Sequence, residues 1–169
     1  QTGVVAAPVS YQVDGEQYVS VNVGWGGAFA LVFGEYVQND SLPNVIRILT
    51  FKLGGSAKLP KVDWQRPRPF VTVSTDASSE TLTEGYRLYQ ELCMGCHGLN
   101  AVSGKLIPDL RRSPMISNQG AFAAVVLKGA LSNRGMPNFQ PYLNETQAEA
   151  IRAYLIQQAE RGRKLQAGE

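Results

Sequence analysis

Hydrophobic and polar positions alternate at the front of the chain and change to a helical period further on. Residues 3–12 (GVVAAPVSYQ) and 17–25 (QYVSVNVGW) interleave valines and aromatics with polar residues, which predicts two β-strands. Between them lies Val13-Asp14-Gly15-Glu16. Asp-Gly suits a two-residue hairpin, because both central positions of that turn take positive φ. A third run, 44–53 (NVIRILTFKL), is β-branched and apolar, ends at Gly54-Gly55, and predicts a third strand. The stretch 34–44, with Asn39-Asp40-Ser41-Leu42-Pro43, predicts a loop.

The first 55 residues therefore hold about three strands, apolar on both sides of at least two of them. Three strands cannot bury both faces of a sheet by themselves. This half is expected to pack on something beyond itself or to be cut from a larger sheet protein. Without those neighbours it should be poorly ordered or paired with another chain. Gln1 already lies in strand-like sequence, which agrees with a start inside a longer protein and with a secretion signal lost upstream.

Residues 56–79 show neither period. Pro60, Pro67 and Pro69 stand among Lys58, Lys61, Arg66 and Arg68, which predicts a semi-extended linker over 56–77, draped on its neighbours through Trp64 and Phe70. From residue 78 the pattern is helical. Ser78 caps a helix that carries Gly85, Leu88, Tyr89 and Leu92. A second helix is predicted over about 118–129, stopped by Gly129. A third starts at Asn144, with Gln147 at the capping-box position and Leu143 as staple, and shows Ile151, Tyr154 and Leu155 on one face. Arg161-Gly162-Arg163 is expected to end it, with cations at the negative end of the dipole. The fold class is thus a β fragment followed by an all-α domain.

The chain has 169 residues, 44% of them hydrophobic, and a net charge of +2. So even a balance argues against nucleic acid or a membrane surface as the main partner. The apolar segment from Ala121 to Leu127 falls far short of the roughly eighteen residues that a membrane-spanning helix needs.

The two cysteines and the single histidine all lie in Cys93-Met94-Gly95-Cys96-His97. A zinc site would need further cysteine or histidine ligands, and the chain has none. A thioredoxin-like pair should open a helix after a strand, whereas this motif closes a helix. The remaining reading is a c-type haem site: Cys93 and Cys96 form thioethers with the haem vinyls, and the adjacent His97 turns onto the iron. With no second histidine, the sixth position is expected to take a methionine or to stay open. Met94 sits between the attachment cysteines and cannot reach the opposite haem face. Met136, set between Gly135 and Pro137, is favoured over Met115 because its extended loop can wrap the far side. A soft, neutral thioether favours ferrous iron and raises the potential, which suits passing electrons on. A peroxidase would want an open iron and a distal acid–base group, and the only histidine is already used.

Residues 78–160 resemble a class I mono-haem cytochrome c. The matches are Cys93-Met94-Gly95-Cys96-His97, Ile107-Pro108-Asp109-Leu110-Arg111 and Gly135-Met136-Pro137-Asn138-Phe139, with Gly85 and Tyr89 crossing Ile151 and Tyr154. The resemblance implies that the Pro108 carbonyl receives the proximal imidazole N–H. It also implies that Arg111 meets a haem propionate, unless it is a solvated loop arginine.

The front of the chain is similar to a second family signature. GVVAAPVSYQVDGEQYVSVNVGWGGAF and RILTFKLGG resemble the closing blade of the eight-bladed propeller of pyrroloquinoline-quinone (PQQ) dependent alcohol dehydrogenases. In the quinohaemoprotein branch a proline-rich linker and a cytochrome c domain follow in this order. The implied organisation is 1–55 partial β-propeller, 56–77 linker and 78–169 cytochrome c domain. Trp25 then either walls the PQQ pocket or packs within the blade. The resemblance implies a periplasmic enzyme that oxidises alcohols to aldehydes or ketones with PQQ and Ca²⁺. Its electrons leave through haem c to a soluble blue-copper protein or cytochrome. The catalytic base, the calcium ligands and most PQQ contacts belong to blades this segment does not contain, so no catalytic residue falls here. The alternative is a stand-alone cytochrome subunit that docks on a separate dehydrogenase.

Overall fold

The computed structural model describes residues 3–4, 6–24, 31–37, 45–63, 67–104 and 107–168. Trp25 and Trp64 lie outside the described residues. The front region is an antiparallel sheet in the order β1 (Val9–Val13), β2 (Glu16–Val23), β3 (Arg47–Lys52). Asp14 at φ 50° and Gly15 at φ 80° make the predicted tight turn, which fixes Tyr11 opposite Tyr18 and Val13 opposite Glu16. β2 then pairs with β3 so that Ser20 faces Thr50 and Val19 faces Phe51.

One sheet face carries a polar ladder. Tyr11 Oη lies 3.2 Å from Ser20 Oγ, Ser20 Oγ lies 2.8 Å from Thr50 Oγ1, and Glu16 accepts from both Tyr18 Oη and Lys52 Nζ. Tyr11 and Tyr18 stack with centroids 5.6 Å apart. The opposite face presents Val19 and Phe51, both exposed. The expected loop after β2 differs in one respect: Gly34–Val37 forms a short helix, α1. Gly34 lies against the backbone of residues 102–104, and a Cβ there would collide with it. The front region therefore touches the loop that follows the cysteine motif.

The helical region is built on α2 (Ser79–Leu92) and α5 (Glu145–Ala167), which pack directly on each other. Ser78 Oγ accepts the Thr81 N–H at 3.3 Å and opens α2. The reciprocal capping box between Asn144 and Gln147 opens α5, at 2.9 and 3.0 Å, over a buried Leu143. Where the helices cross, a Cβ on Gly85 would come within 2.7 Å of the Ala150 carbonyl carbon and 3.0 Å of Tyr154 Cβ. Only glycine permits that approach. Tyr86 and Tyr89 close around the Tyr154 ring, at 5.6 and 5.3 Å between centroids. Leu88, Tyr89, Ile151, Leu155 and Ile156 form the buried centre, completed by Phe122 and Val126 of α4 (Gln119–Val126). Between α2 and α4 lie α3 (Met94–His97) and the single turns Leu99–Ala101, Leu110–Arg112 and Pro114–Ser117.

One expectation needs correction. Helix α5 does not stop at Arg161-Gly162-Arg163 but runs to Ala167, where Gly168 closes it at φ 84°. Gly162 is inside the helix because the Phe70 ring occupies the space of its missing side chain. The second half of the proline-rich stretch drapes on the helical region through Phe70, as its sequence led one to expect. Phe70 is buried, and Val71 and Val73 pack against the helical core.

Candidate functional site

The cysteine motif is one turn of helix laid on the end of α2. The Tyr89 carbonyl accepts the Cys93 N–H at 2.9 Å, and the Cys93 carbonyl accepts the N–H groups of Cys96 and His97 at 3.2 and 2.9 Å. The turn brings Cys93, Cys96 and His97 together, with Cys93 half-buried and Cys96 exposed. Burial pushes the Cys93 thiol up to about 12. Below the motif, the buried Tyr89 hydroxyl donates to the Gly98 carbonyl at 2.7 Å and anchors the residue after His97.

His97 is buried, and its Nδ1 lies 3.1 Å from the Pro108 carbonyl oxygen. A carbonyl can only accept, so Nδ1 carries the proton and Nε2 is left with its lone pair. Burial lowers the imidazole pKa and outweighs the opposing pull of that carbonyl, so the ring is neutral at pH 7. A neutral imidazole with one nitrogen held and the other basic is what a haem iron takes as an axial ligand. Two thiols on the same helical turn supply the matching tethers. The residues fit the group.

The other predicted residues fall as follows. Met136 is half-buried against the helical core, its N–H donating to the Leu131 carbonyl at 3.3 Å after Gly135 turns the chain at φ 87°. Met115 is 38% exposed on the Pro114–Ser117 turn. Arg111 is not a solvated loop arginine. It is buried, and its Nε and Nη2 donate to the two oxygens of Asp109 at 2.9 and 2.7 Å. Its guanidinium also lies 4.9 Å from the centre of the Phe70 ring. Trp25, expected either to wall the PQQ pocket or to pack within the blade, lies outside the described residues. Sequence reasoning missed Asp109 and Arg112. The available signal was an aspartate just before a Leu-Arg-Arg turn, where it caps the Arg111 N–H at 3.1 Å.

Residues 80–155 match the family described as cytochrome c oxidase, cbb3-type, subunit III. The chain carries a cytochrome c domain. Such a domain implies electron transfer through haem. The likeness also extends beyond the domain. The chain is 38% identical over 160 residues to the quinohaemoprotein alcohol dehydrogenase ADH IIB of Pseudomonas putida, covering 92% of this chain and 23% of that protein. It is 40% identical over 162 residues to the enzyme ADH-IIG of the same organism, covering 94% of this chain and 22% of that protein. The solved structure of the quinohaemoprotein alcohol dehydrogenase ADHIIG from Pseudomonas putida HK5 superposes with a TM-score of 0.80 at 37% identity, over 96% of this chain and 23% of that one. The chain thus spans about a quarter of the length of the relatives it matches, 23% and 22%. The resemblance to quinohaemoprotein alcohol dehydrogenases read from the sequence is upheld. Among the described residues no helix is long and apolar enough to cross a membrane.

Proposed function

We propose that this chain is the C-terminal electron-exit part of a periplasmic, PQQ- and Ca²⁺-dependent quinohaemoprotein alcohol dehydrogenase. One observation carries the reading: a likeness to such enzymes that spans the sheet and the cytochrome c domain together, over 94% of the chain. In this reading residues 1–55 are part of the closing propeller blade, and the open sheet faces meet the remaining blades of the same enzyme. Residues 56–77 connect to the cytochrome c domain over 78–169, with 67–77 already docked on it.

The haem, once bound, supplies a one-electron couple. Cys93 and Cys96 hold it by adding their S–H groups across its two vinyl groups. His97 offers Nε2 to the iron while its Nδ1–H stays on the Pro108 carbonyl. Met136 would supply a thioether to the iron, and Arg111, held by Asp109, would be the cation for a haem propionate. Electrons leave to a soluble blue-copper protein or another cytochrome.

The test is stopped-flow absorbance on the full-length protein containing this segment, loaded with PQQ, Ca²⁺ and haem. Primary and secondary alcohols should reduce the haem without an added mediator. A haem that stays oxidised while an artificial acceptor at PQQ is turned over would break the assignment to electron exit. Met136→Ala should remove the methionine-to-iron charge-transfer band of the ferric protein and lower its potential. An unchanged band would give that role to Met115.

A further inference from the structure

Phe70 lies in a stretch without regular secondary structure, yet only 8% of it is exposed. On one side its ring fills the space above Gly162, where a Cβ would come within 2.8 Å of Cζ. On the other side the guanidinium carbons of Arg112 and Arg111 lie 3.7 and 4.9 Å from the ring centroid. Hydrogen bonds to its backbone hold this strap in register. The Val71 N–H donates to the Arg111 carbonyl at 3.1 Å, Arg112 Nη1 donates to the Arg68 carbonyl at 2.5 Å, and Arg163 Nη1 donates to the Val71 carbonyl.

The same two arginines turn inward on Asp109. Arg111 binds both carboxylate oxygens, and Arg112 Nε lies 3.6 Å from Oδ2. Asp109 directly follows Pro108, whose carbonyl holds His97. A continuous run of contacts therefore joins α5, the strap over 67–73, the arginine pair and the group that orients the imidazole.

We propose that Phe70 is a positioning residue for His97: by seating Arg111 and Arg112 on Asp109 it fixes the Pro108 carbonyl, and with it the strength of the Nδ1–H···O bond. This rests on the proposed ligation of haem iron by His97. A firm bond at Nδ1 makes the opposite nitrogen a stronger donor and favours ferric iron. Loosening the strap weakens that bond and raises the reduction potential. Water entering an opened haem edge would act in the other direction, because a more polar surrounding stabilises the more highly charged ferric state. The sign of the shift separates the two.

The experiment compares Phe70→Ala, Phe70→Leu and Arg112→Lys with the unaltered haem-loaded chain. It reads the midpoint potential and the solvent exchange of the His97 Nδ1 proton by NMR in the ferrous state. Phe70→Ala is expected to raise the potential and speed the exchange. Phe70→Leu keeps the volume without the aromatic face, and Arg112→Lys keeps the charge without the planar fork, so each should move both readings the same way by less. These two variants leave the core filled and stand in if Phe70→Ala does not fold. A lower melting temperature with unchanged potential and exchange overturns the proposal, and so does a fall in potential. Failure of the ligation reading shows separately, as a wild-type spectrum without histidine-ligated haem.

Discussion

Leu155 and Leu53 are the same residue in two very different settings. Leu155, at the centre of α5, is 0% exposed, whereas Leu53, in the turn that follows β3, is 99% exposed. The contrast extends to their regions. The helical part closes its apolar faces on one another through the Gly85 crossing, while the sheet leaves Val9, Ile48 and Phe51 open to solvent. Hydrophobic patterning says which side chains seek cover, but the covering surface can belong to another domain or another chain. The sheet's own bonds, the hairpin and the Tyr11–Ser20–Thr50 ladder, set its register without burying it.

The most disruptive way to break this contrast is Gly85→Val. Its side chain would meet the Ala150 backbone, so we expect destabilisation of at least about 3 kcal/mol in the helical unfolding transition, read by urea denaturation. Leu155→Ala comes next, with a loss of about 2–5 kcal/mol from a cavity in a filled core. Tyr89→Phe removes the donor to the Gly98 carbonyl and should cost about 1–3 kcal/mol, with a disturbed haem spectrum because that carbonyl follows His97. Leu53→Ala should change stability by less than about 0.5 kcal/mol in this chain. In the full-length protein the same substitution should cost about 2 kcal/mol or more, if neighbouring blades cover it. An equal, negligible cost in both would argue against the propeller reading.

The two regions were also legible in the sequence to different degrees. Asp14-Gly15 announced its hairpin, and Asn144 with Gln147 announced the start of α5, because turn and cap chemistry is local. Cys93, Cys96 and His97 were legible for the same reason, since their spacing alone puts them on one helical turn. What escaped was non-local. Gly162 next to arginines reads as a helix stop, and nothing along the chain says that Phe70, ninety-two positions earlier, fills the gap it leaves. Arg111 reads as a loop cation until Asp109 and Phe70 are seen to enclose it. The short helix Gly34–Val37 has too few residues to show a period.

The central claim is that the closed region is a covalent haem carrier built on Cys93, Cys96 and His97. Intact mass spectrometry under denaturing conditions tests it directly, on the chain produced in a host with c-type haem maturation. The expected result is a chain heavier than its sequence by one haem, with no free thiol left to alkylate and with the added mass lost in the Cys93→Ala/Cys96→Ala double variant. A chain at its bare sequence mass with two reactive thiols would contradict it.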